Sequence, residues 1–248
     1  MNTAVLIQNE SELNAEQTYG VEYLIITKEK HLISPSLLSA VGRINMKHPS
    51  GVTKRDIDRA DLLIIVDDNC LVTIANKVMC LIKQFNEKFV VAIYSNPHHK
   101  MRWKEYADSA YFTDCDTKKC NFINRLLESI ELQGMVCIDF TDVYAQFCKT
   151  GHSQFFQGVA IGKYRAIHAI DNAIGQDELS GDTALLVLCS GIDISIDEFE
   201  LAARYLESKL NKECCINLSA KIRPDALETK QLSVSIFLNK KIGYKTLV

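Results

Sequence analysis

The run Val136-Cys137-Ile138-Asp139-Phe140-Thr141-Asp142-Val143 places two carboxylates three residues apart among apolar side chains. Ahead of it, Phe122 to Ile130 is apolar at helical spacing. Gly134 reads as the residue that ends this helix by taking a left-handed conformation. Behind it, Thr141 or Asp142 reads as the cap of a second helix from Val143 to Lys149. The run is therefore expected to be a tight loop between two helices. A D-x-x-D at a helix start is first of all a capping device, because free N–H groups and the helix dipole stabilise anions there. A functional role needs support from elsewhere in the chain.

The downstream chain supplies it. Gly158-Val159-Ala160-Ile161-Gly162-Lys163-Tyr164-Arg165-Ala166 comes next, and Leu179-Ser180-Gly181 leads into an expected strand from Ala184 to Cys189. Gly191-Ile192-Asp193-Ile194-Ser195-Ile196-Asp197-Glu198-Phe199-Glu200 follows. In this order, over residues 122–238, the stretches resemble the C-terminal domain of FtsZ, the bacterial relative of tubulin. The family's synergy loop, N-x-D-F-x-D-V, stands here as Cys137, Asp139, Phe140, Asp142 and Val143. Its G-x-A-x-G-x-x-R-A resembles Gly158 to Ala166, and its G-x-D-L-x-L-D-E-F-E resembles Gly191 to Glu200. No one stretch is specific; together and in sequence they are.

Composition sets outer limits. The chain of 248 residues can bury a full core in one large or two modest domains. An apolar fraction of 47% and a charged fraction of 24% are ordinary for a globular protein. A net charge of -3 gives no overall basic field for nucleic acid or anionic lipid. Leu62 to Val66, a strongly apolar run, is far too short to span a bilayer. With no basic segment followed by an apolar stretch at the N-terminus, a cytoplasmic protein is expected. Nine cysteines, several inside apolar patterns (Cys80, Cys189, Cys215), suit buried thiols better than a disulfide framework.

The first half alternates strands and helices. Thr3 to Ile7 and Val21 to Thr27 read as strands, and Ser34 caps a helix with Pro35 at its first position, running to Val41. Gly42 to Lys54 reads as loop, and Arg55 to Ala60 as a short polar helix. Asp61 to Val66 and Phe89 to Tyr94 are continuous apolar runs, the pattern of parallel strands covered on both faces. The amphipathic Leu71 to Gln84 joins them into a βαβ unit. The expected class is α/β, FtsZ/tubulin-like. A Rossmann-like parallel-sheet domain (1–119) is followed by a central connecting helix (120–133) and a smaller α+β domain (134–248).

The resemblance makes the first domain the counterpart of a GTP-binding domain, whose phosphates need glycine loops so that backbone N–H groups approach closely. After the first expected strand stands Gln8-Asn9-Glu10-Ser11-Glu12, without glycine. After the strand ending at Val66, where the family has G-G-G-T-G-T-G, stands Asp67-Asp68-Asn69-Cys70-Leu71-Val72-Thr73. Between Gly51 and Gly134 there is no glycine at all. Asp67 and Asp68 would also face a polyphosphate, and one like-charge pair about 4 Å apart near a surface costs about 4 kcal/mol. A bridging Mg²⁺ reverses that sign without restoring the cradle. Asp67, Asp68, Asn69 and Thr73 thus mark a degenerate nucleotide site, with Asp67 and Asp68 read as ending a strand and capping the next helix. Neither GTP nor Mg²⁺ is expected as cofactor.

Other candidates carry less. His98 and His99 lack further ligands at metal spacing. Cys115 and Cys120 lack a second pair, so no metal is expected. Trp103, Arg102 and Tyr106 read as a helix face docked on the domain. No serine–histidine–aspartate pattern suggests a nucleophile.

In FtsZ, subunits stack head to tail, and the synergy loop of one places its acids beside the GTP of the next. The resemblance gives that place to Asp139 and Asp142, with Cys137 in place of the family's asparagine and Phe140 keeping the loop's shape. A heterologous contact propagates only when both faces work. The expected function is a pseudo-GTPase that binds FtsZ, or another FtsZ-like subunit, through this loop and modulates or blocks its assembly. The alternatives are a divergent GTP-binding filament protein and a nucleotide-independent scaffold built from its own copies. FtsZ extends into a linker and a terminal adaptor-binding peptide, whereas this sequence stops at Val248 soon after its last expected strand, Leu232 to Leu238. No direct membrane contact is expected.

Overall fold

A computed structural model describes residues 20–68, 72–85, 88–177, 179–223 and 229–241. The expected strand Thr3 to Ile7, the run Gln8 to Glu12, and Asn69 lie outside them. In chain order the described elements begin β1 (Tyr23–Ile26), α1 (Pro35–Ala40), β2 (Ile44–Lys47), α2 (Lys54–Arg59) and β3 (Leu62–Asp67). Then come α3 (Val72–Ile82), β4 (Phe89–Tyr94), α4 (Lys100–Trp103), β5 (Ser109–Phe112) and α5 (Asp116–Glu131). The second half holds β6 (Gly134–Val136), α6 (Phe140–Phe147), β7 (His152–Ile161), α7 (Arg165–Ile174) and β8 (Thr183–Ser190). It closes with α8 (Ile196–Lys209), β9 (Cys215–Ile222) and β10 (Gln231–Lys240).

The described strands form one sheet in the order β2-β1-β3-β4-β5-β7-β10-β8-β9-β6. From β2 to β5 every pairing is parallel. Every residue of β3 and β4 is buried, which is why their sequences are unbroken apolar runs. The pleat then sorts them: Leu62, Ile64 and Val66 face the layer of α5, whereas Leu63 and Ile65 face Ala75, Val78 and Ile82 of α3. This is the doubly wound half. In the other half β10 runs antiparallel to both β7 and β8. One face of that half packs on α7 and α8, through Ala169, Ile170, Ala202 and Leu206.

A single backbone pair, Tyr111↔Ser153, joins β5 to β7. A backbone hydrogen bond from the Gly151 N–H to the Asp108 carbonyl at 2.8 Å lies beside it, and side chains make the rest of the seam. Tyr111 stacks on Phe122 of α5 at 4.7 Å, and Phe122 meets Phe155 and Phe237 edge-on at 5.6 and 5.2 Å. Offset and edge-on ring pairs each add about 1 kcal/mol beyond their burial.

Three expectations change. Gly42 to Lys54 is not all loop, since Ile44–Lys47 forms the edge strand β2, only half buried and so weakly patterned. The helix over residues 120–133 runs instead from Asp116 to Glu131, and it ends at Leu132 with an ordinary φ of -76°. Gly134 therefore does not terminate it. Gly134 opens β6, where an added Cβ would stand 1.9 Å from the carbonyl oxygen of Ala220 on β9. Glycine is needed there for close approach, not for handedness. Gly134→Ala is expected to cost about 1–3 kcal/mol in urea denaturation, while Gly42→Ala, with open space at its Cβ, leaves the midpoint nearly unchanged.

Candidate functional site

Asp67 ends β3 and is 1% exposed. Its carboxylate accepts hydrogen bonds from Trp103 Nε1 at 2.9 Å and Arg102 Nη1 at 3.2 Å, and His99 Nδ1 lies 2.9 Å away. The residual void beside Asp67 and Trp103, about 10 Å³, is no larger than one water needs. Asp67 is thus the anchor that docks α4 onto the end of the strand. It does not cap α3. The expectation of a docked face at Trp103 and Arg102 holds, and its cause is this carboxylate.

Asp68 points to a different partner. It accepts from Lys119 Nζ, and from Ser95 Oγ at 3.3 Å. The Lys119 side chain, 4% exposed, also donates to Asp116 at 2.8 Å and lies 3.9 Å from Glu29. Burial alone would lower the Lys119 ammonium, but its hydrogen bonds to Asp116 and Asp68 hold it above its ordinary value. Glu29 moves the other way from most paired acids. Burial, then its hydrogen bond and repulsion with Asp68, push its carboxyl up. Glu29 Oε2 and Asp68 Oδ2 are both buried without a donor of their own, and a proton held by Glu29 satisfies both. Where a nucleotide loop would offer N–H groups, this crevice presents three carboxylates around one ammonium.

Glu29 and Lys119 escaped the sequence reading. Glu29 sits on the turn after β1, the strand paired with β3. That turn faces Asp68. Lys119 carried a signal: with Phe122, Ile123 and Leu126 it lies on the apolar stripe of α5, an unusual place for a cation without an internal partner. Thr73 stands exposed in the first turn of α3, apart from the cluster. His98 is exposed, Cys115 precedes the first turn of α5, and Cys120 lies within it. No grouping of three metal-ligating side chains occurs among the described residues.

The loop at Cys137 differs from its expected form. Helix α6 starts at Phe140, and its cap is Asp139, not Thr141 or Asp142. Asp139 accepts from the Asp142 N–H at 2.8 Å, and Asp142 accepts from the Asp139 N–H at 3.2 Å. This reciprocal box uses one oxygen of each acid and leaves both side chains at the surface. Phe140 packs edge-on against Phe89 at 6.0 Å, and Val143 is fully buried. Cys137 is exposed, its thiol 3.5 Å from the Gly134 carbonyl. Beneath the loop, the buried Lys221 donates to the Leu132 carbonyl at 2.8 Å.

Two of the downstream stretches meet in space. Arg165, at the start of α7, donates to Asp193 at 2.7 Å and to both oxygens of Glu198 at 2.7 and 3.0 Å. Their joint presence is a structural ion cluster that ties α7 to α8.

No family model matches the sequence. FtsZ 2 of Pyrococcus furiosus is 28% identical over 128 residues, which is 50% of this chain and 31% of that protein. FtsZ 2 of Thermococcus kodakarensis is 30% identical over 122 residues, 47% of this chain and 30% of that one. The matches thus span about a third of these relatives' length. Among solved structures, an empty FtsZ dimer of M. jannaschii superposes with a TM-score of 0.73 at 15% identity, over 90% of this chain and 89% of that one. CetZ2 of Haloferax volcanii, as a GTPγS-bound protofilament, gives 0.56 at 14% identity, over 79% and 70%. About half of the chain is thus similar in sequence to FtsZ proteins, and its fold is the one seen in FtsZ structures.

Asp67→Ala leaves Arg102 and the Trp103 N–H without their buried acceptor, and is expected to cost about 3–5 kcal/mol in chemical denaturation. Glu29 gives a pH test. Its raised folded value favours the folded state below its ordinary 4.5. That advantage is lost as pH rises through the folded value. Glu29→Gln is therefore expected to raise the denaturation midpoint at pH 7 and to leave it little changed at pH 4.

Proposed function

We propose that this chain is an FtsZ-like protein without GTPase activity that docks on an FtsZ-family subunit through the Cys137–Val143 face and limits filament growth. The observation carrying this reading is the asymmetry between its two ends. Beyond β3, Asp67 and Asp68 replace glycines and are bound to cations of their own chain. A nucleoside triphosphate entering there would lose the Asp68–Lys119 pair, meet Glu29 and Asp116, and find no glycine cradle. At the other end the loop keeps its shape through the Asp139–Asp142 box and the Phe140 contact. A subunit with one working face adds to a filament end and stops the next addition. Neither GTP nor Mg²⁺ takes part in this role, and the protein works in the compartment of the filaments it meets.

The test is sedimentation of FtsZ polymer with GTP at rising amounts of this protein. Loss of pelleted polymer is expected well below an equimolar ratio. Thr141→Arg, which adds bulk and charge on the exposed first turn of α6 without touching the capping box, is expected to abolish that loss. An unchanged FtsZ pellet, or GTP-dependent polymer formed by this protein alone, would overturn the reading.

A further inference from the structure

A net charge of -3 is an average, and the lysines are not spread evenly. One surface cleft of about 360 Å³ is lined by Lys83, Lys88, Lys104 and Lys149. A second, of about 310 Å³, shares Lys104 and adds Lys100, Lys240 and Lys241. The two form one strip that crosses from α4 to the end of β10, so it belongs to both halves of the fold. The ion pairs that lysines make among the described residues use Lys47 and Lys119 instead. Within the strip, Lys88 donates to the Asp58 and Ala60 carbonyls, Lys83 lies over the Tyr106 ring at 4.7 Å, and Lys240 reaches Ser180 Oγ at 3.5 Å. Only Glu105 and Asp108 bring carboxylates to its lining.

We infer that this strip binds the surface of an anionic lipid bilayer. Three features favour a bilayer over a folded acidic partner or nucleic acid. Every cation in it is lysine, a hydrated point charge suited to diffuse attraction; no arginine fork is present for bidentate reading of phosphates or carboxylates. Met101 stands 71% exposed among these lysines, an apolar tip able to enter the headgroup boundary. The charge is spread over two adjoining clefts and two halves of the chain, which fits a broad plane better than one bound segment. Seven lysines against two carboxylates lie in the range of clusters that hold proteins on anionic leaflets. No described helix is long and apolar enough to cross a membrane, so the contact is peripheral.

Co-sedimentation of the full chain with vesicles tests this. The protein is expected to pellet with phosphatidylcholine vesicles containing phosphatidylglycerol and to stay in solution with phosphatidylcholine alone. Binding should fall steeply as salt rises. Each lysine near an anionic bilayer is worth about fivefold in affinity, so the combined Lys100→Glu, Lys104→Glu, Lys241→Glu variant should bind at least about a hundredfold more weakly. The same reversal at Lys163, Lys209 and Lys212, outside the strip, should reduce binding far less. Met101→Ser, at a solvent-exposed position, gives a second reading that does not depend on the triple variant folding: a severalfold loss is expected. Absence of binding to the anionic vesicles, or equal losses in the two triple variants, would overturn the inference. So would binding to duplex DNA that the strip reversal abolishes while vesicles stay unbound.

Discussion

Phe122 holds the two halves in one molecule. The sheet is thin between β5 and β7, where one ladder pair and the Gly151 N–H to Asp108 carbonyl bond carry the backbone connection. One pair of strand residues contributes little against the entropy of fixing two domains. The seam survives because α5 lies along it with Phe122, Ile123, Leu126 and Leu127 fully buried. Those side chains touch the parallel half through Tyr111 and the mixed half through Phe155 and Phe237. Burying each such side chain is worth about 1.5–3 kcal/mol. The helix is therefore shared core, and both candidate faces take their positions from its two ends. Lys119, near its start, fixes the crevice beyond β3, and Leu132, at its end, feeds β6 and the loop at Cys137.

Much of this was legible in the residues. Fully buried strands such as Leu62–Asp67 and Phe89–Tyr94 show as unbroken apolar runs because both faces must be apolar. The cap of α1 at Ser34 with Pro35 behind it is legible in the sequence, since capping is a local rule. What failed was set by distant residues. Gly134 looked like a helix terminator until Ala220, far along the chain, supplied the reason for its missing side chain. The strand Ile44–Lys47 was lost because an edge strand buried on one side has too weak a pattern in four residues. In the crevice, Asp67 and Asp68 were visible as acids in a glycine position. Their partners were not, because Glu29, Arg102 and Lys119 come from three separate turns of chain.

The crevice also explains how so many charges are kept in a small space. An isolated buried ammonium or carboxylate is costly, and mutual attraction offsets that cost only when the hydrogen bonds are complete. Here Asp67 takes donors from Arg102 and Trp103, while Lys119 takes Asp68 and Asp116. Glu29 is the imbalance: a further acid on the same cation, its carboxyl pushed up by burial and by its contact with Asp68. Such a network stabilises only as a whole. Any exogenous anion entering it must displace one of the chain's own carboxylates, so a polyphosphate competes with groups that are already tethered and already placed.

The loop at the opposite end has no such competition. Asp139 and Asp142 satisfy each other's backbone N–H groups, and this stiffens the turn at little cost because both remain in water. The box accounts for the spacing of the acids without any substrate. It does not account for Phe140, whose ring is carried to Phe89 at the base of β4, nor for an exposed cysteine beside the acids. A segment whose backbone is held by its own side chains from both directions, and whose remaining polar atoms face outward, loses little entropy when a partner surface meets it. That preorganisation is what the proposed docking through this face requires, and the crowded crevice at the other end of α5 is the proposed reason that docking there is one-sided.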